Sequence, residues 1–185
     1  PCDKIYFSRK GPKCNKDYGE DQIISVLKMK GFRIIEPTQL SVREQIGLVR
    51  GCKVFAATEG SISHIAIFAH PGTHHMLLRK QWRSLLSYTG IVNHLADLDV
   101  AYIDANHSTH MRDLRQEYLG PFYLCVNRFL ERYFHEKLPH TPRWLDKEWY
   151  KYIAQDPFAP ERNIFMYLCP YIIKKIRQLF NHESL

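Results

Sequence analysis

The feature that most constrains this chain is a change of hydrophobic period that repeats through its first hundred residues. Short apolar runs rich in Ile, Val, Phe and Tyr, at residues 4–8, 33–36, 53–57, 75–79 and 100–104, have the length and composition of strands. Between them lie stretches with helical spacing. Residues 20–30 place Ile23, Ile24 and Leu27 on one face and stop at Gly31. Residues 41–50 open on Ser41 with Glu44 three positions later, the pattern of a capping box, and stop at Gly51. A third short helix is expected from Gly60 through Phe68, ahead of Pro71-Gly72. Strands and helices that alternate over such short connections predict right-handed crossovers and a mostly parallel sheet covered on both faces. The expectation is a Rossmann-like α/β domain over residues 1–105.

The strand signal stops there, so residues 106–185 are expected to form a helical C-terminal extension packed on that domain. Helices are predicted over residues 112–137, interrupted by Gly120-Pro121, and over 142–155 and 160–182, each of the last two with a proline near its first turn. Their aromatics (Phe122, Tyr123, Phe129, Tyr133, Phe134, Trp144, Trp149 and Tyr150) are expected to pack against the sheet. A strand beyond residue 115 would contradict this fold and the family resemblance given below.

Composition narrows the class of protein. Hydrophobic residues make up 45% and charged residues 24%, the balance of a globular domain rather than a disordered one. No run approaches the length of a membrane span. The opening PCDKIYFSRK has neither Met nor an apolar leader core, and is expected to be the start of a piece cut from a longer protein. The five cysteines, Cys2, Cys14, Cys52, Cys125 and Cys169, are odd in number and contain no CxxC pair. That argues against a disulfide framework or a zinc site and for a reducing, cytoplasmic compartment, with Cys52, Cys125 and Cys169 as buried thiols. His74-His75 and His107…His110 are spaced like metal ligands but lack a carboxylate or thiolate at ligand spacing, so no metal site is expected.

The formal net charge is +7, and Lys4, Arg9, Lys10, Lys13 and Lys16 crowd into the first sixteen positions. Such a cluster suits an anionic ligand, although a solvated basic loop has the same composition. No RNP, zinc-finger or helix-turn-helix pattern is present, so nucleic acid is not an expected partner. In an open parallel sheet, ligands bind beyond the carboxyl ends of the strands. The first strand runs into Ser8-Arg9-Lys10-Gly11-Pro12, and the third ends in Glu59-Gly60-Ser61 ahead of a helix. A basic loop beside a glycine turn and a helix N-terminus is a candidate diphosphate cradle. Gly60 fits neither a Walker A pattern nor a GxGxxG fingerprint, which leaves ATPase and dehydrogenase chemistry without support.

Several segments in order carry a family resemblance: a strand ending FSRK, the helix start YGED, KGFRIIEPTQLSVREQIGLV, and TEGSISHIAIFAHPGT. A P-x-x-L-S-x-x-E-Q segment followed about twenty residues later by G-S-x-x-H-x-x-x-F pairs two of these. From residue 5 to residue 79 the chain resembles the C-terminal, nucleotide-sugar-binding lobe of glycosyltransferase family 61, in its bacterial capsular polysaccharide branch. The resemblance implies one lobe of a GT-B fold that takes a UDP-sugar as donor, needs no metal, and passes the sugar to a saccharide acceptor. It also implies an N-terminal lobe of the same protein as partner, and a cytoplasmic setting that includes the inner face of the bacterial membrane. Carried over residue by residue, Arg9 matches the Ser-Arg motif and would grip the donor diphosphate with Lys10, while Gly60 and Ser61 match the glycine-small turn. His64 falls at a position often held by His or Thr, and Ser8 and Glu59 are further candidate donor contacts. Glu44 reads mainly as a cap and Gln45 as a structural contact. No general base is visible, so the catalytic residues stay unassigned. Ile65 stands where many relatives have Asn, and Glu59 where eukaryotic members have His. Those departures make a non-catalytic sugar-nucleotide-binding or protein-interaction module the alternative.

Overall fold

The computed structural model describes residues 3–10, 17–80, 87–107 and 121–155. Five strands, β1 (Lys4–Phe7), β3 (Arg33–Ile35), β4 (Val54–Thr58), β5 (His74–Leu78) and β6 (Asp99–Ile103), form one sheet in the order β3-β1-β4-β5-β6. Every pairing in it is parallel, with registers such as Tyr6 opposite Ala56 and Leu78 opposite Ile103. The expected mostly parallel α/β sheet is therefore present, each strand within a residue of its predicted bounds. Helices α1 (Glu20–Met29), α2 (Val42–Gly51) and α3 (Ser87–Leu95) lie between strands, as does a 3₁₀ helix at Ser61–Phe68.

Period-two alternation sends each strand's side chains into two separate cores. On one face Tyr6, Ala56, Met76, Leu78 and Ile103 pack with Ile23, Ile24, Val26 and Leu27 of α1. On the other, Ile5, Phe7, Phe55 and Ala57 pack with Val49 of α2 and Ala66 of the 3₁₀ helix. Burying a large apolar side chain fully contributes roughly 1.5–3 kcal/mol, so these layers hold the strand ends in place. The same alternation separates the adjacent histidines. His74 Nδ1 bonds Asp99 Oδ2 at 2.7 Å and its Nε2 bonds Tyr133 Oη at 2.7 Å. His75 points into the opposite core, stacks on Phe55 and bonds Asn93 Oδ1 at 2.8 Å. Among the described residues no group of His, Cys, Asp or Glu is arranged to hold a metal ion.

The capping box at Ser41 is formed: its hydroxyl accepts from Glu44 N at 3.3 Å while Glu44 Oε2 accepts from Ser41 N at 2.8 Å. The Ser41 hydroxyl, which donates to Glu44 Oε2 at 2.7 Å, and the Ser41 backbone N–H hold the Glu44 carboxyl below its usual range. Gln45 donates to the carbonyls of Pro37 and Leu40, the structural contact expected of it. The helix expected from Gly60 is 3₁₀ rather than α. Ser63 sends both its N–H and its hydroxyl to Gly60 O, at 2.9 and 2.7 Å, and this three-residue closure sets the tighter turn.

The chain after residue 105 corrects the expectation of helices only. A two-residue strand, β7 (Phe122–Tyr123), pairs in parallel with β2 (Asp17–Tyr18). It meets the condition set above for contradicting the fold and the resemblance; because it lies outside the five-stranded sheet, which is intact, and beyond residue 79, where the resemblance ends, it overturns the helical extension alone. Backbone bonds from Leu124 N to Tyr18 O, from His107 N to Tyr123 O and from Cys125 N to Ala105 O hold this stretch extended. Of the helix predicted over 112–137, the described residues contain α4 (Arg128–Phe134), while β7 replaces it at 122–123; residues 108–120 lie outside the described residues. It begins there because the Asn127 side chain caps Phe129 N and Leu130 N, and it ends on His135 in the left-handed region. The stretch 142–155 divides into a 3₁₀ turn at Arg143–Leu145 and α5 (Lys147–Gln155); the predicted 160–182 helix lies outside the described residues. Leu124, Val126, Leu130 and Leu138 enter the α1-side core, and Phe129, Tyr133 and Phe134 pack against it. Tyr123, Trp149 and Tyr152 gather around Tyr18, whereas Trp144 is 68% exposed and packs on no core. Cys52 is a buried thiol as expected; Cys125 is half-buried, and desolvation pushes its thiol up to about 11.

Candidate functional site

The chain leaves β1 for β3 on one side and then returns to place β4 on the other, so the order reverses between β1 and β4. In open α/β sheets the crevice beyond such a reversal is the usual ligand position. Here it is walled by the two loops singled out from the sequence: Ser8-Arg9-Lys10 after β1, and Glu59-Gly60-Ser61 after β4.

Arg9 and Gly60 meet across this crevice. A Cβ placed on Gly60 would stand 3.4 Å from Arg9 Nη1, so the absent side chain leaves the guanidinium lying against the turn. Gly60 has φ 119° and ψ −167°, a backbone region that is essentially glycine's alone. Its neighbour Ser61, exposed to solvent, opens the 3₁₀ helix.

Arg9 is fixed at both ends. Its backbone N–H donates to Glu20 Oε1 at 2.9 Å, and the same oxygen accepts from Tyr6 Oη at 2.7 Å. Its Nε lies 3.1 Å from Asp17 Oδ2. Asp17 in turn meets the Lys80 ammonium at 2.7 Å; the two side chains are only 3% and 6% exposed. Lys80 Nζ sits 4.9 Å from the centre of the Phe122 ring, and its backbone N–H donates to Glu59 Oε2 at 3.3 Å. Glu20 and Tyr6 are both buried, and burial together with the Glu20 carboxylate raises the Tyr6 hydroxyl well above its usual range. Removing one member of a buried ion pair typically costs several kcal/mol because the other charge is left uncompensated.

The remaining predicted residues occupy different places. Ser8 is buried and its Oγ accepts from Lys10 N at 3.0 Å, so it shapes the loop. The Lys10 ammonium pairs with Asp21 in the first turn of α1. His64 lies further along the 3₁₀ helix, with Nε2 3.5 Å from Thr89 Oγ1 of α3. Ile65 packs against the α2-side core. Below the Gly60 turn, Thr58 Oγ1 is buried with no hydrogen-bond partner among the described residues.

Asp17, Glu20 and Lys80 were not found from sequence. Asp17 follows the basic run directly and Lys80 comes two residues after β5, which puts both at the carboxyl edge. Their burial and mutual pairing depend on β7 and leave no local pattern.

Residues 1–76 match the family model for Glycosyltransferase 61. That span holds β1, β2, α1, β3, α2, β4 and the Gly60 turn, and so both walls of the crevice. The match covers 76 of the 185 residues and makes this part of the chain similar to glycosyltransferase family 61, a family of transferases that move glycosyl groups. No curated protein matches the chain.

Proposed function

We propose that this chain is the donor-binding lobe of a GT-B glycosyltransferase that transfers a sugar from a nucleoside diphosphate, a uridine one, to a saccharide acceptor. The observation that carries the proposal is the Arg9 guanidinium against the Gly60 turn, at the strand-order reversal and inside the family match. When the glycosidic bond to the donor breaks, the departing diphosphate gains charge. A guanidinium offers two parallel N–H bonds to phosphate oxygens and keeps its charge throughout. The backbone amides that open the 3₁₀ helix at Ser61 point a partial positive charge into the same crevice. Lys10 pairs with Asp21 at the surface and would engage a phosphate by leaving that partner, an exposed pair of small net stability.

Stabilising the leaving group with Arg9 and helix amides needs no metal, so uridine diphosphate should bind equally well in EDTA. Calorimetry with Arg9→Lys and Arg9→Ala tests the assignment. A charge-assisted hydrogen bond contributes roughly 1.5–3 kcal/mol, so Arg9→Ala should weaken uridine diphosphate binding about ten- to a hundredfold. The Lys variant should fall between, and uridine should bind all three proteins alike. A folded Arg9→Ala protein with undiminished affinity refutes the site.

A second reading has support from Ile65, which is committed to the core where many members of the family carry Asn. On that reading the lobe binds a sugar nucleotide without transferring the sugar. Donor binding without turnover, once the N-terminal lobe is supplied, would favour it.

A further inference from the structure

A phosphate-gripping arginine must present one face of its guanidinium in one direction, and an arginine on a surface loop carries too much rotamer freedom to do so unaided. Three observations bear on how Arg9 is held. Asp17 takes the Nε edge of the guanidinium, while Nη1 lies at the Gly60 turn, so the carboxylate and the turn engage different edges of the same planar group. Asp17 is almost wholly buried and is itself held by Lys80, a buried ammonium seated over the Phe122 ring. Asp17 lies on β2, which is paired with β7, and the next residue but one, Gly19, donates to Glu148 Oε2 at 2.7 Å from α5.

We infer that Asp17, held by Lys80, is a positioning residue that fixes the Arg9 guanidinium over the Gly60 turn, and that residues 121–155 act on donor binding through this pair. The inference rests on the donor-site reading above. An Asp17 that merely competed with phosphate for Arg9 would oppose binding. The edge-on arrangement opposes that view, because a carboxylate at Nε orients the remainder of the fork rather than covering it. The burial of Lys80 also has a reason on this account. A buried Asp17 without a second cation would draw Arg9 inward, whereas Lys80, itself buried, shares the Asp17 charge.

The test is a double-mutant cycle read by uridine diphosphate affinity, with folding followed by circular dichroism and thermal melting. Asp17→Asn alone leaves Lys80 buried without its counter-charge, so Asp17→Asn/Lys80→Met, which removes both charges, is measured beside it. Each is expected to weaken binding about tenfold in the parent, corresponding to roughly 1.4 kcal/mol, and less than twofold when Arg9 is already Ala. Equal losses in the two backgrounds, or tighter binding without Asp17, overturn the inference. A second readout is independent of ligand. The Arg9 Nε–H resonance, assigned by its loss in Arg9→Lys, should be slow to exchange in the parent and exchange-broadened in the double variant. Persistence of that protection in the double variant also overturns the inference. A parent protein that fails to bind uridine diphosphate refutes the donor-site reading, and the Nε–H resonance still decides whether Asp17 holds Arg9.

Discussion

His75 makes this fold sensitive to acid in a way that can be calculated. Its ring is wholly buried, stacked on Phe55 with centroids 5.1 Å apart, and its one hydrogen bond goes from Nδ1 to Asn93 Oδ1. The other ring nitrogen, Nε2, is buried with no partner among the described residues, so a proton there would have no acceptor. Desolvation is the dominant effect and lowers the pKa from 6.5 to about 4, the Asn93 bond opposing it and the His74 charge adding to it. The unfolded chain therefore takes up a proton on His75 near pH 6.5, while the folded chain excludes it until about pH 4. Stability from the neutral ring is complete above pH 6.5 and is lost as pH falls toward 4. At 1.36 kcal/mol per pH unit the loss over that window is about 3 kcal/mol, a substantial part of the stability of a typical domain. Urea melts at pH 7.5, 6, 5 and 4.5 would measure it, with His75→Phe/Asn93→Leu as the reference that lacks the titrating group and its partner. The parent should lose about 2.5 kcal/mol more than the reference between the first and last of these, since pH 4.5 stops short of the folded pKa. Parallel curves for the two proteins would refute the argument, since the ring would then be protonated as easily inside as outside.

Three other substitutions have definite expected outcomes. Gly60→Ala forces a side chain onto φ 119°, and should cost about 1–3 kcal/mol in denaturant melts while weakening uridine diphosphate binding. Gly19→Ala would put a Cβ 2.0 Å from Leu124 O at a residue with φ 76°, so a loss of about 3 kcal/mol or more is expected. It should come with early protease cleavage between β7 and α5, because β2 can no longer lie against that segment. Thr58→Val replaces a buried hydroxyl without a partner by a methyl of similar size, and should raise stability by about 1 kcal/mol in the same melts. A fall in uridine diphosphate affinity in that variant would show instead that the hydroxyl serves the ligand.

What was legible in the sequence follows from the range of the forces involved. The five parallel strands were readable because Ile5, Phe55 or Met76 must face a core, and the pattern that sends them there is written in the neighbouring residues. Arg9 and Gly60 were readable for a related reason: a short parallel strand can deliver its loop only to the carboxyl edge. Helix α3 was missed because Ser87–Leu95 mixes Tyr88, Ile91 and Leu95, all exposed, with a mid-helix Gly90, which blurs any apolar stripe. The two-residue strands β2 and β7 are too short to show a period. Their pairing is decided by backbone bonds and by the fit of Gly19 beneath Leu124. Asp17 and Lys80 follow from that pairing. Both are residue types expected at the surface, and only a partner far along the chain makes their burial tolerable.

The separation between β2 and β7 also has a consequence for synthesis. Every strand of the main sheet has been made once Ile103 is added, and its parallel pairings can then form. The shelf beneath Asp17 requires Tyr123, twenty residues later. At translation rates of roughly 5–20 residues per second, the nascent chain spends about 1–4 s with a sheet whose strands are all made and a β2 that still lacks its partner strand. The carboxyl edge of the sheet is thus completed by the far end of the chain, and a ribosome stalled within that interval would carry the main sheet with β2 still unpaired.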